Sequence, residues 1–161
     1  MTDQFYFATL AGIALSAAGF AGLVTALRGS GHWSRTELWR LRNIVQSSLA
    51  IVVVCLLPVP IYRGVGGDEP LTIRLMSALL VVILADRIRA VIAERREWPG
   101  FAREASLIVG IQLIVQLANV YVASLALLML GLLGWLIFPL QLFMRVIRDF
   151  RPPVQEDQAD R

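Results

Sequence analysis

Residues 105–147 read ASLIVGIQLIVQLANVYVASLALLMLGLLGWLIFPLQLFMRVI, a run almost unbroken in apolar character. As one straight helix it would be about 65 Å long, twice the roughly 30 Å hydrocarbon core of a bilayer. It must therefore fold back on itself. The stretch from Asn119 to Ser124 is the place where polar and small residues interrupt it. This predicts two membrane spans, over 105–122 and 125–147, with Pro139 kinking the second because proline removes a helix hydrogen bond.

Working outward, three more segments read as spans. The stretch from Phe5 to Leu27 carries no charge and is rich in small residues, including Gly12, Ala14, Ala17, Ala18, Gly19, Ala21 and Gly22. Small residues let helix backbones approach closely where lipid supplies no hydrophobic drive, so this helix is expected inside the bundle. It lacks the basic flank and short apolar region of a secretion signal and is read as retained. Ser34, followed three residues later by Glu37, predicts a capped helix start, leading into a span over 44–62 whose far end is loosened by Pro58 and Pro60. After the glycines at 64, 66 and 67, a third span covers 71–93.

The expected fold is thus all-α, an integral membrane bundle of five transmembrane helices occupying residues 1–148, with a disordered tail over 149–161. Composition agrees. Apolar residues make up 57% and charged residues 17% of the 161, against about 45–50% and about 25% in soluble domains, and the mean hydropathy is +0.68.

Arginine placement sets the count and the orientation, because cytoplasmic loops are enriched in basic residues. Arg28, Arg35, Arg40 and Arg42 fall in the first loop; Arg87, Arg89, Arg95, Arg96 and Arg103 in the third; Arg145, Arg148, Arg151 and Arg161 at the end. The alternate loops hold only Arg63 and Arg74. Five spans put the N-terminus outside and the tail in the cytoplasm. A four-span alternative that merges the last two segments places Arg145, Arg148 and Arg151 on the arginine-poor side. All fifteen basic residues are arginine, which points to a GC-rich bacterial genome and so to a cytoplasmic (inner) membrane. The first two hairpins also share a pattern, Trp33 then Gln46 and Trp98 then Gln112, that suggests a two-helix unit used twice.

Several functional classes find no support. His32 is the only histidine and lies in a polar loop, so bis-histidine haem and histidine-rich metal centres are excluded. Without lysine there is no retinal Schiff base. Cys55, the only cysteine, sits in an apolar run and reads as a small core residue. P-loop, nucleophile-elbow and HExxH patterns are absent. No catalytic residue, cofactor or metal is expected, and a net charge of +3 spread over helix ends does not suggest nucleic acid.

The most suggestive feature is on the fourth span. Gln112, Gln116 and Asn119 fall within about 60° of one another on a helix and form a polar stripe, with Ala105 and Ala123 on the same face. Such a stripe serves either inter-helix hydrogen bonds or a polar path. Arg74 and Asp86 lie near the two ends of the third span, with Arg89 placed to pair with Asp86. Trp135, beside Gly131 and Gly134, is expected to fill a gap between helices. The functional expectation is a non-enzymatic subunit or scaffold of a membrane complex, whose partners are the lipid bilayer and another membrane protein or itself. An oligomeric channel or transporter component lined by the stripe is the alternative.

Overall fold

The computed structural model describes residues 4–27, 34–94 and 99–149. Among them the chain is all helical: α1 (Gln4–Leu27), α2 (Arg35–Leu56), the short α3 (Pro58–Gly64), α4 (Glu69–Glu94), α5 (Pro99–Val122) and α6 (Leu125–Asp149). His32, Trp33, Trp98 and the tail over 150–161 lie outside the described residues.

Local chemistry accounts for the boundaries. Ser34 caps α2 in a reciprocal capping box: its hydroxyl accepts from the Glu37 N–H at 3.2 Å, while Glu37 Oε2 accepts from the Ser34 N–H at 2.9 Å. Both orphan donors are thereby satisfied. Pro58 stands at the start of α3, where its missing N–H does least harm, and the break at Leu57 separates α3 from α2. The turn into α4 uses Gly66 and Gly67 at φ 72° and 86°, the left-handed region that glycine enters without steric cost. Asp68 then accepts from the Leu71 N–H at 2.9 Å and opens α4.

The bundle consists of two antiparallel hairpins, α1–α2 and α4–α5, flanking α6, which touches all four of their helices. Among the described residues the backbones of the two hairpins approach each other only by way of α3, which reaches both α2 and α4. One apolar cluster gathers Leu10 and Ala14 of α1, Ile51 and Val54 of α2, Met76 and Leu80 of α4, and Leu128, Leu132 and Trp135 of α6. A second, smaller one joins Ala21, Leu41, Ile44 and Leu142. Trp135 is buried in the first cluster, as is Cys55.

Three helical stretches are long and apolar enough to cross a membrane: Gln4–Ala26, Glu37–Gly64 and Leu125–Arg148. The apolar part of α5, Ser106–Val122, is shorter, and α4 carries Arg74, Asp86, Arg87 and Arg89 along its length.

The expectation for the first helix needs correction. α1 does pack, burying Phe7, Leu10, Ala14, Ala17, Ala21 and Val24 at helical spacing. However, Gly12, Ser16, Gly19 and Gly22 are all exposed on the opposite side, and a Cβ added at any of the three glycines would meet nothing within 4 Å. Its alanines make the contact with α2, and its glycines face out.

Candidate functional site: the amide seam between α5 and α6

The chain reverses at Ala123 and Ser124, within the stretch expected to interrupt the long apolar run. Ala123 is not on the α5 face with the stripe. It occupies the turn itself, at φ 54°, a conformation that strains a residue bearing a Cβ. The turn is held by Asn119, whose carbonyl accepts from the Ala123 N–H at 2.8 Å and whose Oδ1 accepts from the Ser124 N–H at 2.8 Å.

Antiparallel helices leaving this turn bring mirror positions together, and here each glutamine meets a glycine. Gln116 Nε2 donates to the carbonyl of Leu127 at 2.9 Å, and Gln112 Nε2 donates to the carbonyl of Gly131 at 3.4 Å. A Cβ at Gly131 would collide with the Gln116 carboxamide, and one at Gly134 with that of Gln112. The glycines are therefore the notches into which the amides fit. Asn119 completes the seam on the other side, donating through Nδ2 to Ser77 Oγ of α4 at 2.9 Å. This one side chain ties α4, α5 and the turn together.

Burial is complete for Gln116 and Asn119, at 0% exposure, and Gln112 is at 9%. Such groups are tolerable in an apolar interior only when partnered, and all three amide nitrogens are. The exception is Gln116 Oε1, which has no hydrogen-bond partner.

The opposite face of α5 carries Leu107, Ile111, Ile114, Leu117 and Tyr121, exposed by 52–78%. The helix is thus inside out by the standard of a water-soluble protein, with amides inward and large apolar side chains outward.

The other candidate residues behave differently. Arg74, Asp86 and Arg89 are exposed on α4, away from the seam. Asp86 and Arg89, whose i, i+3 spacing permits a pair, are both exposed. Of the seam's members, Ser77, Leu127 and the notch role of Gly131 and Gly134 were missed from sequence. The signal was available: glutamines and glycines stand at mirror positions about Ala123–Ser124. The bond from Tyr6 Oη to the Met129 carbonyl, 2.7 Å long and linking α1 to α6, had no such signal.

No family model, curated protein or solved structure matches this chain.

Proposed function

We propose that the chain is a five-span membrane protein acting as a non-enzymatic subunit or scaffold of a membrane complex. The observation that carries the reading is the inverted polarity of α5. Its large apolar residues would be costly in water, roughly 25 cal/mol per Å² of exposed apolar surface, but cost nothing against lipid tails. α4 and α5, of 26 and 24 residues, reach about 39 and 36 Å at 1.5 Å per residue, enough to span alongside α6. Leu75 and Val82 give α4 an apolar outer surface as well, and Arg74 and Asp86 lie near enough to its ends to snorkel. The arginine distribution orients this bundle with its N-terminus outside and its C-terminus in the cytoplasm, in a bacterial inner membrane.

The scaffold role is supported by how the polar stripe is used. Gln112, Gln116 and Asn119 are occupied with α6 and α4, so they hold the chain together. A path lined by several copies would require these amides to leave their partners. The faces left open toward other proteins are apolar, and α1 adds small residues that would let a partner helix come close.

Native mass spectrometry of the protein extracted in mild detergent from its own membrane tests the reading. A second protein in fixed ratio is the expected result, whereas a homo-oligomer alone favours the channel or transporter alternative. A strictly monomeric, partner-free species in both detergent and bilayers would overturn it. Cysteine-accessibility mapping at the turns before α4 and α6 checks the span count independently: five spans place both turns outside.

A further inference from the structure

The two apolar clusters are not continuous. Between them α1 offers Ala17, α2 offers Ser47 and Ser48, and α6 offers Pro139, all of them buried. Each position falls between members of the two clusters on its own helix: Ala17 between Ala14 and Ala21, the serines between Ile44 and Ile51, Pro139 between Leu136 and Leu142. α2 packs against both α1 and α6, so these residues form one layer across the bundle, and none of them is large.

That layer is also where hydrogen bonding is incomplete. Ser47 Oγ and Ser48 Oγ are fully buried and have no partner. Four other hydroxyls of the described helices do find a partner nearby in the chain. Thr9, Ser16, Thr25 and Thr72 all turn back to the carbonyl four residues earlier, at 2.7–2.9 Å. Ser47 and Ser48 do not close onto the carbonyls of Asn43 and Ile44. On the facing helix, Pro139 has no N–H to give, which leaves the carbonyl of Trp135 without its i+4 donor. Two hydroxyls without a partner and a carbonyl without its i+4 donor therefore fall between the same two clusters, in an interior where an unsatisfied polar group is costly.

We propose that this layer is an internal hydration site. A water accepts from the Ser47 and Ser48 hydroxyls and donates to the Trp135 carbonyl, joining α2 to the proline break in α6. Buried waters typically make about three such bonds to groups that lack other partners, and the residues of this layer are all small or of moderate size. The site is distinct from the amide seam and does not depend on the function proposed above.

The sign of a mutational effect tests it. If the hydroxyls are truly unpartnered, replacing them with alanine removes desolvated polar groups and leaves stability unchanged or raised. If they hold a water, Ser47→Ala combined with Ser48→Ala lowers the thermal midpoint of the full chain in mild detergent by several degrees. Pro139→Ala restores an N–H to the Trp135 carbonyl, so the same serine replacements made in that background should lose at least half of their effect. A raised or unchanged midpoint when the serines are replaced in the chain that keeps Pro139, or equal losses with and without Pro139, overturns the proposal. Should Pro139→Ala fail to fold, infrared spectra of chain labelled with ¹³C at the tryptophan carbonyls decide the matter. The difference between wild type and the double serine variant should show a band moving to higher wavenumber as the Trp135 carbonyl loses its bond, and no shift overturns the proposal.

Discussion

The two hairpins that flank α6 are attached to it by different chemistry. The α1–α2 hairpin seats through apolar side chains in both clusters, joined by the edge-to-face contact of Phe20 with Phe143 and by the bond from Tyr6 to the Met129 carbonyl. The α4–α5 hairpin divides the work: Ile73, Met76 and Leu80 of α4 enter the larger cluster, while among the described side chains none of α5 belongs to either one. α5 is held instead by Gln112, Gln116 and Asn119 against backbone carbonyls, a serine and two glycine notches. In lipid, apolar burial distinguishes poorly between neighbours, because the tails are as apolar as leucine. Directional amides therefore fix the register of α5 on α6 in a way that the apolar surfaces of α1 and α2 do not.

The difference can be broken most forcefully at the notch. Gly131→Leu drives a side chain into the Gln116 carboxamide, and overpacking of this kind typically costs about 1–3 kcal/mol; a thermal midpoint well below wild type is expected. Gly19→Leu on α1 is the matched control, since nothing lies near its Cβ position. It should stay within about 0.5 kcal/mol of wild type in a monomeric preparation. Equal losses at the two glycines would mean that the notch is not special. Any loss of self-association or partner capture by the Gly19 variant, with stability intact, would locate the contact surface of the proposed complex on α1.

Asn119→Leu should come next, because it removes bonds to both Ser77 and the Ser124 N–H. Leaving these buried groups unpaired costs on the order of 1–3 kcal/mol. Adding Ser77→Ala to the Asn119 variant should cost little more, since the partner has already been lost; a fully additive result would uncouple the pair. The smallest effect is expected for Gln116→Leu. It forfeits one inter-helix bond of about 0.6 kcal/mol but also deletes Oε1, which has no partner, so the midpoint should barely move. A large drop would reveal a partner for that oxygen. If Gln116→Leu leaves the fold intact yet abolishes the cellular phenotype, the stripe has a role beyond packing.

Much of this architecture was legible in the sequence for reasons that are local. The capping box at Ser34 and Glu37 needs only residues three apart, and the fold-back at Ala123–Ser124 follows from a run too long for one bilayer crossing. The i, i+4, i+7 spacing of the amides put them on one face before any neighbour was known. The spacing of Asp86 and Arg89 permits a pair but does not require one, because two exposed charges gain little from pairing. The outward glycines of α1 were likewise undecidable from composition: small residues favour close contact, but their abundance does not say which side of the helix a neighbour takes.

By itself the sequence determined that the chain is helical, apolar enough for a membrane, reversed at one particular turn, and polar along one stripe of α5. These properties depend on hydrogen bonding and periodicity within single segments. Only the tertiary structure decided that α6 is the hub, that the amides enter notches at Gly131 and Gly134, and that Ser47, Ser48 and Pro139 are all buried. Those facts depend on which helix faces which, and in a chain whose helices are apolar nearly all round, periodicity alone does not select the neighbour.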